Sequence, residues 1–417
     1  MLNAYHRMCF AGFVVDFTVI VGMTAIPFFV LDQIEGGNVA LSGIIMASQM
    51  AAYALVCIAA SGFVQRARHG LNWAIFGVVL YTAIYAMIPL FRSPLVCGAL
   101  ASVATGGMAL VWPALHSWVG AEPDPKSRTR HMAWFNLSWS LGFAAGPLLA
   151  GPLYDYDYWV PFAVMTALGG TGIALLLSLP HEHAYFGTAS PEQLHARAGH
   201  DRSSEIYLYC AWCATFVANG LHAVTRSVYP DRIKTLVETA QLRLLFEGEP
   251  ARFLTEAPAT KFSWPASALS VATMITFLVL WKTDRWRHRF EVLIGMQVLT
   301  AIAFFILGHT CSLIVMTLCF IIVGANHGVA FFSSAYYSLA NPALKHRRAS
   351  INEGAVGLGG FAGSMVFAYL VATYAFSLPF HYTPVFVAVA IGLQLCLLRY
   401  GRLRVERREA CAAASPL

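Results

Sequence analysis

The sequence predicts an all-α integral membrane protein of twelve transmembrane helices in two pseudo-symmetric six-helix bundles, with both termini cytoplasmic. Three observations carry that prediction. Of the 417 residues, 58% are hydrophobic and 12% charged, about half the charged share of an ordinary soluble domain. Apolar stretches of about 20 residues, the length that crosses a hydrocarbon core, recur along the whole chain. The lysines and arginines concentrate in alternate loops, as the positive-inside rule requires.

The first six spans are expected at 9–31, 41–64, 73–90, 94–119, 132–153 and 159–179. The second six are expected at 206–228, 262–280, 292–307, 311–339, 354–374 and 383–398. Each is bounded by charges, Gly/Pro clusters or both. Backbone polar groups in lipid must pair within their own segment, so helices are expected and a β-barrel is not. The first span is too long for a signal peptide and lacks a small-residue cleavage site after it, so it is expected to remain as the first helix.

With the termini inside, internal loops and ends hold twenty of the 27 basic residues; most of the other seven lie in the loop 231–261. The net charge of +6 then reflects topology and attraction to anionic lipid, and is no sign of nucleic-acid binding. The nine cysteines sit mostly inside helices and suit buried thiols better than a disulfide framework. Cys210 and Cys213 form a CxxC without a second pair, so no metal site and no cofactor is expected.

The polar stretch 181–205 reads as a cytoplasmic linker between an N-terminal bundle, 1–180, and a C-terminal bundle, 206–398, followed by a cytoplasmic tail, 399–417. A shift of 217 residues lays Gly324 on Gly107, Gly359 on Gly142, Gly363 on Gly146, Arg285 on Arg68 and Lys345 on Arg128. The first and seventh spans need a shift nearer 197, which an insertion in the extracytoplasmic loop 231–261 explains. That loop has an apolar run at Leu242, Leu244, Leu245 and Phe246 that suits a short interfacial helix.

In the fifth span, Gly142-Phe143-Ala144-Ala145-Gly146-Pro147-Leu148-Leu149-Ala150-Gly151 follows the pattern GxxxGPxxGG with alanine for one glycine. The first span carries Val15-Asp16-Phe17-Thr18 with a later Pro27. The loop after the second span holds Gly62, Arg66 and Arg68 but no aspartate, whereas its second-half copy keeps Asp284 and Arg285. On these residues the whole chain resembles the major facilitator superfamily, and the fifth span resembles its antiporters. The resemblance implies alternating access around a mid-membrane site between the halves. It also implies a hinge at Gly142, Gly146 and Pro147 and charge latches at Arg66, Arg68, Asp284 and Arg285. Ordinary close helix packing and topology-setting charge are the competing readings of those two features.

Asp16 is the sharpest chemical feature. A carboxylate inside a membrane helix costs about 2.5–3.5 kcal/mol on insertion scales, so it should face a wet cavity or a partner. It is the candidate proton carrier, with a static polar contact as the alternative. Asn219, His222 and Arg226, spaced at three and four residues, share one helix face. His222 could bind substrate or relay protons, and Arg226 could attract an anion or snorkel to the outer interface. Asp16 and Arg226 are expected not to pair, their depths differing by roughly 12 Å along a helix. The resemblance makes the first, fourth, seventh and tenth spans cavity-lining, so Trp112, His116, Asn326 and His327 become candidate substrate contacts, against a packing role for each. Arg348 and Glu353, where the basic loop meets the eleventh span, read as a cytoplasmic gate in which acid and arginine pair.

No Gly-x-x-x-x-Gly-Lys-Ser/Thr motif is present, so an ion or substrate gradient is the expected energy source. The expected function is a secondary active transporter of a small organic solute, working as a single chain in the cell membrane, with proton-coupled export ahead of metabolite import by symport or facilitation. A transport-inactive sensor ranks lower. An enzyme is not expected, because the polar groups are scattered among helices and do not converge at one face.

Overall fold

The computed structural model describes residues 4–64, 70–120, 125–180, 202–245, 257–340 and 345–414. The N-terminal half contains α1 (Ala4–Gln33), α2 (Val39–Val64), α3 (Gly70–Met87), α4 (Pro94–Met108), α5 (Val111–Gly120), α6 (Pro125–Tyr156) and α7 (Val160–Leu177). The C-terminal half contains α8 (Arg202–Ser227), α9 (Tyr229–Glu238), α10 (Pro258–Lys282), α11 (Phe290–Leu307), α12 (Leu313–Leu339), α13 (Lys345–Thr373) and α14 (Ser377–Ala414). By length and apolarity ten membrane-crossing helical segments stand out among the described residues. The remaining two crossings are α6 and α8, of 32 and 26 residues, whose ends carry more charge. An even number of crossings brings both termini to one face, called the terminal face below; the other is the far face.

The fourth span is broken. Its two parts, α4 and α5, meet at a turn over Ala109 and Leu110. Pro113 supplies the cause: it has no N–H for the carbonyl four residues back, at Ala109, and its ring crowds that carbonyl. Ala109 and Leu110 donate instead to the carbonyls of Gly106 and Gly107, at 3.2 and 3.1 Å.

The two halves repeat one packing scheme. Helix α1 lies on α6 and α7 as α8 lies on α13 and α14, α2 lies on α4 as α10 lies on α12, and α3 lies on α7 as α11 lies on α14. Between the halves, α2 packs along α13 and α6 along α10, a symmetric exchange. In its most apolar window α1 is 89% buried against 28% for α14, so α1 is central and α14 peripheral. The outer row of α14, including Val385, Val389 and Leu393, is exposed, as a lipid-facing surface must be.

Matching glycines set the crossings. A side chain at Gly142 would come within 2.5 Å of the Phe13 carbonyl, and one at Gly146 within 2.5 Å of Ile20. In the other half Gly359 lies against the backbone of Phe216 and Gly363 against that of Gly220. The 217-residue shift therefore relates equivalent contacts on α6 and α13. On their partners Phe13 answers to Phe216 and Ile20 to Gly220, shifts of 203 and 200, a few residues beyond the expected 197. At Gly107 and Gly324 the equivalence fails, since Gly107 meets Gly77 of α3 whereas Gly324 meets Leu269 of α10, the counterpart of α2.

Three other expectations change. The short helix of the 231–261 loop is α9, formed earlier than expected, where Tyr229, Ile233, Leu236 and Val237 are buried on one face. The described part of the apolar run after it, 242–245, is not helical: Arg243 donates its backbone N–H to the Cys311 carbonyl at 2.9 Å and accepts from the Leu313 N–H at 2.7 Å, on either side of Ser312, while Phe246 lies outside the described residues. Glu353 meets no arginine; it accepts from the Tyr53 hydroxyl of α2 at 2.9 Å, while Arg348 pairs with Glu205 of α8 at 2.9 Å. Glu353 lies two turns into α13, facing the other half, so the basic residues at the helix start turn elsewhere.

Candidate functional site

Polar side chains gather where α1, α6, α8 and α12 meet. Asp16 is 5% exposed and faces α6, where a Cβ on Gly142 would stand 3.3 Å from its own. One of its carboxylate oxygens, Oδ2, is buried with no hydrogen-bond partner. Such an atom forfeits its hydration without compensation, which persists in a native fold chiefly where function needs it.

Beside it on α6 lies Phe143. The guanidinium of Arg226 rests 4.8 Å above that ring, and the imidazole of His222 meets its edge at 5.9 Å. Asp16 and Arg226 lie within electrostatic reach of one another without forming a direct ion pair. The absence of a direct pair agrees with their expected depths, and the mutual influence follows from side chains leaning toward the helix N-terminus. Arg226 sits near the end of α8 and therefore reaches back toward mid-membrane. Tyr81 of α3 senses both charges, and its hydroxyl donates to the Val19 carbonyl at 2.9 Å.

The α8 stripe holds together as its spacing predicts. Asn219 donates its amide to the Thr215 carbonyl at 2.9 Å, which leaves Oδ1 to accept from His327 Nε2 at 3.2 Å. His327 thus carries its proton on Nε2, and its Nδ1 is buried without a partner. The His222 ring lies 4.6 Å from that of His327, tilted by 52°, and its Nε2 is likewise buried and, among the described residues, unpartnered. Asn326 is 2% exposed, and among the described residues its amide nitrogen is unpartnered and no side-chain hydrogen bond joins it to this group.

Trp112 and His116 stand apart. His116 Nδ1 bonds to the Trp112 carbonyl at 2.8 Å, and its ring meets Phe135 at 5.4 Å. Trp112 packs on Trp139, which touches Phe277 of the opposite half at 5.8 Å. They belong to an aromatic layer between the halves, closer to the terminal face than Asp16.

Among the expected hinge and latch residues, Gly142 and Gly146 pack α6 on α1 inside one half, with Pro147 buried beside them; Gly151 is the glycine that meets the other half, at the Ala259 carbonyl, 2.5 Å from where a Cβ would lie. Asp284 pairs with Arg287 at 2.8 Å, both exposed, whereas the backbone N–H of Arg285 meets Thr283 Oγ1 at 3.3 Å. Arg66 and Arg68 lie outside the described residues, as does the linker up to residue 201.

The far face holds contacts that sequence reading missed. Lys234 of α9 pairs with Asp32 of α1, which also accepts from the Tyr154 hydroxyl at 3.0 Å. Asp155, at the end of α6, accepts from the backbone N–H groups of Ala259 and Thr260 at 3.2 and 2.6 Å and so caps α10 across the halves. Phe28 bridges Tyr154 and Phe262 behind them. Phe143 was missed too; the available signal was a bulky aromatic inside the Gly142–Gly146 seam. Among the described residues no three His, Cys, Asp or Glu side chains converge to hold a metal ion.

Solved structures share this architecture. The chain aligns with a POT family transporter in complex with 5-aminolevulinic acid at a TM-score of 0.73 and 12% identity, covering 96% of each chain. It aligns with the peptide transporter POT in complex with sulfate at 0.69 and 16% identity, covering 97% of this chain and 95% of that one. With the nucleoside transporter NupG the values are 0.69 and 10%, covering 96% of this chain and 100% of that one. At such identities the likeness establishes the fold. No curated protein matches the sequence significantly. The profile of the Major Facilitator Superfamily matches residues 8–230, more than half of the chain. With its twelve crossings in two six-helix halves, this chain belongs to the Major Facilitator Superfamily of membrane transporters.

Proposed function

We propose that the protein is a proton-coupled secondary transporter that moves a small organic solute by alternating access, with Asp16 as the proton carrier. The observation that carries this reading is the buried, incompletely bonded carboxylate of Asp16 within reach of Arg226, at the meeting of the two halves. A carboxylate there can gain or lose a proton, and either event changes how strongly it holds the guanidinium opposite. Because the two residues belong to different halves, that change bears on whichever arrangement of the halves brings them together.

The residues assigned to solute contact are Asn219, His222, Arg226 and His327. Trp112 and His116 are assigned to the closing layer on the terminal side. The lysine and arginine distribution supports a cytoplasmic terminal face. The α6 pattern, with Gly142, Gly146 and Pro147, supports export, although Gly359 and Gly363 repeat the same packing on α13. Uptake is the second reading, since the repeat of the α6 glycine pair at Gly359 and Gly363 on α13 leaves that pattern without a direction of its own.

Reconstitution into vesicles with an imposed pH gradient tests the proposal. Solute movement is expected to alter internal pH, the solute flux opposing the proton for export and sharing its direction for uptake by symport. The Asp16→Asn protein is expected to bind solute but lose gradient-driven accumulation. Undiminished accumulation by that variant would remove Asp16 from the coupling.

A further inference from the structure

We infer that the transported solute is an organic anion whose carboxylate, phosphonate or phosphate group is received by Arg226 together with His222. This deepens the function proposed above and rests on it.

Arg226 is half-buried and, among the described residues, makes no ion pair or hydrogen bond. Its guanidinium offers five N–H donors and no acceptor. Taking it out of water is costly unless acceptors meet it, and the face of Phe143 offsets only part of that cost. Its one acidic neighbour, Asp16, does not reach it directly. Two imidazoles 4.6 Å apart complete the group, each with one ring nitrogen buried and unpartnered. His222 is itself 8% exposed, so its free nitrogen is not met by bulk solvent.

The missing chemical piece is an acceptor with at least two oxygens. The planar fork of arginine receives a carboxylate or phosphate group through two parallel hydrogen bonds. His222, free to place a proton on Nε2, can donate a third. A cationic solute would face Arg226 with nothing but Asp16 to offset the repulsion. A neutral solute would leave most of the fork unmet. The ring of Phe143 and the imidazole faces offer a flat apolar surface to the organic body.

Matched compounds test this on the purified full-length protein in detergent, with thermal stability as the readout. The probes are benzoate with benzamide, indole-3-acetate with indole-3-acetamide, phenylphosphonate, and benzylamine as a cation. At least one acid is expected to raise the melting temperature. Its uncharged partner should bind at least about tenfold more weakly, the loss expected when a charge-assisted hydrogen bond is removed. Arg226→Gln should abolish the effect, and Arg226→Lys should weaken it while keeping a measurable response. The unliganded melting temperatures of both variants report whether they fold.

Stabilisation by amide or amine equal to that by acid would overturn the inference. So would stabilisation by an acid that Arg226→Gln leaves unchanged, or silence toward every acid tested. If an acid binds through Arg226 but its flux ignores the pH gradient, the anion site stands and the proton-coupled reading falls. If a neutral or cationic solute moves with the gradient, proton coupling stands and the anion site falls.

Discussion

The two halves share a packing scheme and differ in what they place at its centre. On both sides a pair of glycines, Gly142 with Gly146 or Gly359 with Gly363, lets a long helix close on its partner. On the N-terminal side that partner, α1, carries the acid Asp16. The equivalent place on α8, by shifts of 200 to 203 at the glycine contacts, runs from Phe216 to Asn219 and holds no acid; α8 instead carries Asn219, His222 and Arg226. One half presents a carboxylate and the other a cation with two imidazoles. Duplication of the fold thus supplies a symmetric frame, and in the function proposed above the chemistry that gives the frame a substrate and a direction is assigned to the residues that break the symmetry.

The largest expected effect sharpens the glycine comparison. An added methyl at Gly363 meets the Gly220 backbone, with its carbonyl carbon at 2.6 Å and Cα at 2.7 Å, whereas at Gly146 it meets chiefly the side chain of Ile20. Side chains yield and backbone does not. Overpacking costs about 1–3 kcal/mol, so Gly363→Ala should lie at or above the top of that range and Gly146→Ala near the bottom. Melting temperatures of the two variants check this, and equal losses would break the distinction.

A comparable effect is expected at the outer helix pair. In the C-terminal half Gln297 and Gln394 exchange amide hydrogen bonds of 2.9 and 2.7 Å across α11 and α14, whereas the matching α3–α7 contact sets Gly169 against Thr82. Gln297→Leu orphans a buried amide, a cost of about 1–3 kcal/mol. The double change of Gln297 and Gln394 to leucine should recover most of it in a denaturation series. No recovery would mean that the pair acts through something besides its own bonds.

Smaller effects belong to the far-face clasp. Asp155→Ala removes the cap that the N-terminal half lends to α10, a change of roughly 1 kcal/mol. Lys234→Met removes a partly exposed ion pair worth less than about 1 kcal/mol. Both should favour opening of the far face more than unfolding, measurable as faster labelling of a cysteine introduced at Phe262. Unchanged labelling in both would remove the clasp from the gate.

The membrane spans were legible because lipid imposes one rule of length and apolarity on every crossing, whatever its neighbours. The break at Ala109 was not foreseen, although its cause, Pro113, stood in the sequence. The α8 stripe was legible from helical spacing, and His327 joined it through its bond to Asn219. Phe143 was not, since one phenylalanine among 28 carries no mark of its neighbours. The partners of Glu353 and Arg348 were misread for the same reason: pairing depends on which helices meet, and Tyr53 lies 300 residues from Glu353. Asp32, Tyr154, Asp155 and Lys234 looked like ordinary helix-end polar residues until the halves were brought together.

The central claim is that Asp16 takes up and releases a proton between the halves. Infrared difference spectroscopy of the reconstituted protein, stepped between acidic and alkaline buffer, reads this directly. A protonated-carboxyl band sensitive to deuterium exchange is expected in the native protein, perturbed by a bound organic acid and absent from Asp16→Asn. A difference spectrum that is the same in the native and Asp16→Asn proteins would place the proton elsewhere and end the coupling scheme built on Asp16 and Arg226.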